Sequence, residues 1–259
     1  MLENILQYFK YYPQFNVALG AGILIFARFF GFIYSAPLLS RKEVPFLIKM
    51  PFVLIMTNVF LGILHPKAPP PDTSLILCLV LNITFGLLIG FVASLIFEAI
   101  TAAGDMMNMQ MGLNASSIFD PSTKEQTSSL GRFFGLFGLI IFIHIGGIYW
   151  LIEAFQRGFD VFPLYNTVIP LDKIVNLDYI TMLSSNVLFF GIQVASPVLL
   201  TTLGMDVILG IISKTAPQVN VFQLSFLFKP VIGIAILLIT MHLLVNVIND
   251  YFVYYAQIY

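Results

Sequence analysis

The residues that could carry out catalysis are few in this chain, and they are scattered along it. His65, His144 and His242 do not form the H-E-x-x-H pair of a zinc protease, and no local spacing places a serine, a histidine and an aspartate together. The single cysteine, Cys78, lies inside an apolar run, which excludes a disulfide within the chain and a cysteine-based metal site. We therefore expect a protein that is not an enzyme and that needs no cofactor or metal.

Charged side chains in apolar surroundings are the second kind of candidate. Arg28, Glu98, Asp105 and Asp206 all lie within or next to apolar stretches. Ionisable groups are costly there, so they suggest by default a proton or substrate path, as in a secondary transporter. The chain has no convincing internal repeat, which disfavours a transporter without excluding it. This function class stays open as an alternative.

One set of polar residues recurs with helical spacing in the middle of the chain. Its members are four, three, four and three residues apart, so they share one helix face over about 21 Å. They are Ser94, Glu98, Thr101, Asp105 and Asn108. Two interpretations stay open for this polar stripe: a satisfied polar seam inside a helical bundle, or the wall of a water-lined passage.

A methionine-rich segment follows the polar stripe. Four of the ten methionines lie between Met106 and Met111, and methionine is a flexible, polarizable side chain that fills irregular gaps. Ordinary core packing is one alternative. A soft-metal site for Cu(I) at Met107, Met109 and Met111 is another, which the absence of a nearby histidine or cysteine disfavours.

The sequence after these methionines predicts a helix end and a tight loop. Gly112 is a typical residue at a helix C-terminus. Asp120-Pro121, or a capping box at Ser122 and Glu125, predicts the start of the next helix. We define the central segment as residues 106–119. Its candidate functional residues are Met106, Met107, Met109, Gln110, Met111, Gly112, Leu113, Asn114, Ala115, Ser116, Ser117, Ile118 and Phe119.

Composition determines the class of protein that must hold these residues. Hydrophobic residues make up 59% of the 259 residues and charged residues 10%, with a mean hydropathy of +0.94. Soluble domains have about 45–50% apolar and about 25% charged residues. Lipid, partner subunits or both must therefore cover this chain. The net charge of −1 gives no electrostatic reason to bind nucleic acid.

Six continuous apolar stretches predict an all-α polytopic membrane protein, since continuous runs favour helices over an alternating barrel pattern. They are 17–34, 44–64, 75–97, 133–152, 180–212 and 231–247. Several are imperfect spans. Arg28 interrupts the first, Lys49 and Pro51 shorten the second to 52–64, and Pro197 predicts a kink in the fifth. The N-terminus lacks the pattern of a cleavable signal peptide.

The sequence in and after the central segment resembles that of a known protein family. "NMQMGLNASSIFDPSTKEQTSSLGRFF" is similar to the central signature of the flagellar biosynthesis protein FliR family, which includes the matching component of virulence type III secretion systems. "ARFFGFIYSAPLLSRKEVP", "GGIYWLIEAF" and "PVLLTTLGMDVILGIISKTAPQVNVFQLSFLFK" agree with the same family, in order, over nearly the whole chain.

This resemblance implies an export-gate subunit of a flagellar type III secretion apparatus in the bacterial inner membrane, at the basal body. A FliP-like part, 1–185, would be followed by a FliQ-like hairpin, 186–259, in tilted helical hairpins. The partners implied are FliP-like, FliQ-like, FlhB-like and FlhA-like proteins, membrane lipid and unfolded exported polypeptides. The loop matching 110–126 would plug the pore. The alternative is the equivalent virulence subunit.

Four residues are predicted to have structural or docking roles. Arg28 needs a buried acceptor, either a partner's carboxylate or the carbonyls at a helix end. In the hairpin, Pro197 kinks the first helix and Asp206 belongs to a weaker polar face that docks on partners. Lys214 lies near the turn that joins the two helices.

Overall fold

The computed structural model describes residues 13–37, 39–41, 44–66, 68–70, 73–113, 128–167 and 177–258, and they contain helices and no strand. The all-α class predicted from composition is therefore confirmed. The helices are α1 Pro13–Ser35, α2 Phe46–Leu64, α3 Leu75–Gln110, α4 Ser129–His144, α5 Gly147–Val161, α6 Leu177–Thr215 and α7 Val221–Ile258.

Five of these helices, α1, α2, α3, α6 and α7, are long and apolar enough to cross a membrane, and the bent pair α4 and α5 can form a sixth crossing. The chain is thus a multi-pass membrane protein. Helices α3, α6 and α7 contain 36, 39 and 38 residues. At about 1.5 Å per residue they are roughly 54–59 Å long, well beyond the ~30 Å hydrocarbon core. Each must tilt or extend out of the lipid.

The apolar stretch at 133–152 is divided between two helices. Helix α4 ends at His144, α5 begins at Gly147, and the two meet at an angle of 78°. Gly146 lies between them with a φ of +80°, a left-handed conformation that glycine adopts without a steric penalty. The adjacent glycines 146 and 147 were the sequence signal for this break.

Proline does not end the helices in which it occurs. Helix α2 runs through Pro51, so the prediction that Pro51 shortens this segment is wrong. Helix α6 also continues through Pro197. Because Pro197 has no N–H, the carbonyl of Gln193 loses its helical partner, and the Ser196 hydroxyl donates to that oxygen at 2.8 Å. The kink at Pro197 stays a prediction.

The first compact unit consists of residues 1–94 and 151–179. Aromatic rings fill its core: the ring centroid of Phe29 lies 4.0 Å from that of Phe155 and 5.0 Å from that of Phe60. Helices α1 and α3 approach closely, since a Cβ at Gly31 or Gly86 would overlap the backbone of the other helix. This close approach brings Arg28 of α1 next to α3.

The second compact unit consists of residues 95–150 and 180–259. Phe97, Phe142 and Phe252 form a ring cluster with centroids 5.1–5.4 Å apart. A Cβ at Gly104 would overlap the backbone at Leu130, so α3 and α4 pack at backbone distance. The predicted boundary at residue 185 concerns resemblance to two other families and not packing, so it stays a prediction.

Candidate functional site

The end of α3 is the part of the central segment that the structure describes. The helix ends at Gln110, and Gly112 has a φ of +76°. The N–H of Gly112 donates to the carbonyl of Met109 at 3.0 Å, and the N–H of Leu113 donates to that of Asn108 at 3.1 Å. This pair of bonds is a Schellman motif, which needs a left-handed residue at the glycine position. The predicted helix end at Gly112 is confirmed.

The four methionines do not share one environment. Met107 and Met111 are completely buried, whereas 71% of Met109 is exposed. Met106 is half-buried. Two of the four thioethers thus pack inside the second unit, as the core-packing alternative expected, and Met109 is the one that is mostly exposed.

Helix α7 provides the surface on which this helix end lies. A Cβ added to Gly233 would come within 2.6 Å of the Met111 side chain, so Met111 lies directly over that glycine. The ring of Phe226 lies 3.6 Å from the position that a Cβ would take at Gly112. The described end of the central segment is therefore in contact with the C-terminal hairpin, which we define as helices α6 and α7.

A polar cluster adjoins the same helix end. Lys229 Nζ of α7 lies 2.5 Å from Asp206 Oδ1 of α6, and Gln110 Nε2 donates to Asp206 Oδ2 at 3.3 Å. Sequence reasoning selected Asp206 as a docking residue but did not find Lys229 as its partner. The other hairpin residue singled out, Lys214, is exposed in the last turn of α6.

Asp105, near the end of α3, is joined to the start of α4. Its Oδ1 accepts hydrogen bonds from the Ser128 hydroxyl at 2.5 Å and from the Ser128 N–H at 3.2 Å. Ser128 is the N-cap of α4, and its hydroxyl oxygen accepts from the N–H of Gly131 at 2.9 Å. Asp105, near the end of α3, and Ser128, at the start of α4, are thus in direct contact.

The polar stripe is not uniform along α3. Ser94 and Thr101 donate to carbonyls of their own helix, at 2.7 Å and 2.9 Å, which satisfies each hydroxyl locally. Glu98 is exposed, whereas only 2% of Asn108 is accessible. The side chain of Asp105 reaches a second described element, because Ser128 is the N-cap of α4.

The remaining predicted residues of the central segment are Asn114, Ala115, Ser116, Ser117, Ile118 and Phe119, and they lie outside the described residues. The predicted helix-start signals at 120–125 lie outside them too. Among the residues that the structure describes, no three histidine, cysteine, aspartate or glutamate side chains form a metal-binding group.

Arg28 is the centre of a separate cluster in the first unit, and it is completely buried. Its guanidinium donates to Asn82 Oδ1 from Nε at 2.9 Å and from Nη2 at 2.6 Å. It also donates to the carbonyls of Gly158 at 3.1 Å and Phe162 at 2.6 Å, at the C-terminal end of α5. Of the two acceptors predicted, the structure supplies helix-end carbonyls from this chain, at the negative end of the helix dipole.

Each guanidinium nitrogen of Arg28 has an acceptor, and the shared acceptor Asn82 is itself held by hydrogen bonds. Asn82 Nδ2 donates to the carbonyls of Cys78 at 2.7 Å and Leu164 at 3.0 Å, so both ends of its amide are used. The guanidinium carbon lies 4.1 Å from the ring centroid of Phe159 and 5.0 Å from that of Phe85. Sequence reasoning found Arg28 but missed Asn82, a buried amide in an apolar run.

The chain is similar to known proteins that carry the names SpaR and FliR. The chain is 35% identical over 159 residues to the surface presentation of antigens protein SpaR of Shigella flexneri, which is 61% of this chain and 60% of SpaR. It thus spans about three fifths of that protein's length. It is 28% identical over 212 residues to the flagellar biosynthetic protein FliR of Buchnera aphidicola subsp. Baizongia pistaciae, 81% of each chain. With FliR of Escherichia coli the identity is 26% over 218 residues, 84% of this chain and 82% of the relative.

A family-level match covers almost the entire sequence and includes all of the sites described above. Residues 19–254 match the family described as bacterial export proteins, family 1. This range contains the Arg28 cluster, the polar stripe, the central segment and the C-terminal hairpin. The chain therefore belongs to the bacterial export proteins, family 1.

Proposed function

We propose that this chain is an export-gate subunit of a flagellar type III secretion apparatus in the inner membrane, and that its central segment plugs the pore. The observation that carries the proposal is the described helix end at 106–113 in a bacterial export protein. A methionine-bearing helix end leads into a loop whose two bases, at Gly112 and Ser128, are both held by the same compact unit.

The side chains of this segment suit a seal that deforms when a polypeptide passes. A gate has to block small ions and still admit an unfolded polypeptide. The exposed Met109 offers a deformable thioether, and 114–117 is a run of small residues, N-A-S-S. Loops that move are drawn from the low-stability parts of a protein, and small side chains anchor a loop weakly.

The partners follow from the same proposal. The exposed apolar surfaces of α2, α6 and α7 need lipid or other subunits to cover them. We assign them to FliP-like and FliQ-like subunits and to lipid, with FlhB-like and FlhA-like proteins in the same apparatus at the basal body. A gate subunit copurifies with such partners at fixed stoichiometry, whereas a secondary transporter purifies as a stable protein alone.

Conductance of the purified complex in a planar bilayer tests the plug. Replacing 112–119 with a shorter Gly/Ser link is expected to leave the complex intact and to raise ion leak. Met109→Ser should add to the leak, because it removes the exposed thioether, while Met107→Leu should not, because Met107 packs inside the unit. An intact loop-replaced complex that seals as well as the wild type would show that this segment is packing.

The equivalent subunit of a virulence secretion system is the second candidate, and the 35% identity with SpaR favours it. The matches to FliR proteins favour the flagellar assignment because they extend over 81–84% of this chain, against 61% for SpaR. Expression in strains that lack either FliR or SpaR distinguishes the two candidates. Restored motility supports the flagellar assignment, and restored secretion only in the strain lacking SpaR overturns it.

A further inference from the structure

The carboxylate of Asp206 holds two different elements at once. Oδ1 pairs with Lys229 of α7, and Oδ2 accepts the hydrogen bond from Gln110, the last residue of α3. The Lys229 side chain is 15% exposed and that of Asp206 is 42% exposed. Asp206 of α6 therefore connects the end of α3 to helix α7 of the C-terminal hairpin.

The neighbouring contacts converge on the same face of α7. Phe226, Lys229 and Gly233 are three and four residues apart, so they lie on one side of that helix. Phe226 contacts the region of Gly112, Lys229 faces Asp206, and Gly233 receives Met111. These three residues and Asp206 form a socket for the helix end at 110–112.

We propose that Asp206 and Lys229 act as a latch that keeps the end of α3, residues 110–112, against the C-terminal hairpin. This proposal rests on the proposed function of the central segment as a plug. Opening then requires 110–112 to leave the socket formed by Phe226, Lys229, Gly233 and Asp206.

The energetics of the socket suit a reversible contact. When Gln110 leaves, Asp206 keeps Lys229, so no charge is left buried without a partner. The single hydrogen bond from Gln110 is long, at 3.3 Å, and it is only partly buried, so water can replace it. The ion pair orients the acceptor for Gln110, and loss of either charge removes that orientation.

Hydrogen–deuterium exchange of the purified complex tests the latch without relying on the pore. We expect Asp206→Asn and Lys229→Met each to speed exchange of the amides at 111–113 by roughly fivefold, because those amides open when the helix end leaves its socket. The conservative variant Asp206→Glu keeps a carboxylate as partner of Lys229 and acceptor for Gln110, so its exchange should stay closer to the wild-type rate than that of Asp206→Asn. Glu153→Gln, which breaks the exposed pair between Glu153 and Arg157 on α5, is the matched control and should change nothing at 111–113.

Unchanged exchange at 111–113 in both single variants would overturn the latch. Gln110→Met removes only the donor at the end of α3. If an ion-pair variant fails to assemble, exchange at 111–113 is measured in Gln110→Met instead, and unchanged exchange there overturns the latch. An exchange increase of the same size throughout the second unit would also overturn it, since that result indicates general destabilisation.

Conductance of the same complexes separates the latch from the plug. Faster exchange together with a higher leak supports both proposals. Faster exchange without leak, in a complex whose loop-replaced form also does not leak, retains the latch and rejects the plug. Faster exchange without leak, where the loop-replaced form does leak, overturns the latch as a control of the pore.

Discussion

Two charged residues in apolar helices, Arg28 and Asp206, have opposite kinds of surroundings. Arg28 is completely buried, makes four hydrogen bonds to neutral acceptors and lies against phenylalanine rings. Asp206 has a side chain that is 42% exposed and contacts one lysine and one glutamine. The first cluster ties α1, α3 and α5 together through contacts that cannot be lost one at a time.

The two clusters differ in what happens to the remaining polar groups when one partner is lost. Removing the guanidinium would leave the Asn82 amide oxygen and the Phe162 carbonyl without the donor that pairs them, although the Gly158 carbonyl keeps the Phe162 N–H, so the Arg28 cluster is stable only when it is complete. Releasing Gln110 from Asp206 exposes groups that water can satisfy. We therefore expect a charge in this chain to be structural where all of its partners are enclosed. Where solvent can replace a partner, as for Asp206, we expect that partner to be released without loss of the fold.

The largest expected effect is that of Arg28→Met, which tests whether the Arg28 cluster is structural. We expect a loss of about 2–6 kcal/mol in folding stability and a strong drop in complex yield, since the Asn82 amide oxygen and the Phe162 carbonyl each lose their donor at about 1–3 kcal/mol. Thermal unfolding in detergent and recovery of the complex measure it. A normal yield with selectively lost export would instead give Arg28 a role in the export path.

Gly233→Ala tests the socket by crowding Met111. A Cβ at this position would lie 2.6 Å from Met111 Cγ, so we expect about 1–3 kcal/mol of overpacking and faster exchange at 111–113. Gly210→Ala in α6 is the matched control, because a Cβ there meets nothing within 4 Å. Equal exchange rates in the two variants would mean that Met111 does not depend on Gly233.

Gly112→Ala tests the helix end itself. An alanine with a φ near +76° costs about 1–2 kcal/mol, so the Schellman turn should fray. Exchange at Leu113 and ion leak are the measurements. Gly112→Asn is the control, since asparagine tolerates the left-handed conformation, and it should behave nearly as the wild type. An equal effect of alanine and asparagine would exclude backbone strain as the cause.

The smallest expected effect is that of Glu153→Gln, which removes an ion pair whose side chains are 57–58% exposed. Exposed helix pairs four residues apart contribute about 0.3–0.5 kcal/mol, and salt screens them. We expect a change in thermal unfolding close to the error of the measurement. A loss comparable to that of Arg28→Met would break the distinction between enclosed and exposed charges.

The sequence alone determined the class of this protein and the end of α3. Composition required an apolar covering, continuous runs required helices, and Gly112 fixed the end of α3 because only a left-handed residue closes that turn. It also showed that Arg28 needs buried acceptors. Such properties depend on local chemistry, which single residues and their near neighbours carry.

Only the tertiary structure decided which residues meet across long separations. Asn82 reaches Arg28 over 54 positions, Gln110 reaches Asp206 over 96, and helical periodicity gives no sign of either pair. It also divided the methionines, burying Met107 and Met111 while leaving Met109 exposed. These outcomes depend on which helix faces pack together, and packing is a property of the whole fold that no local pattern contains.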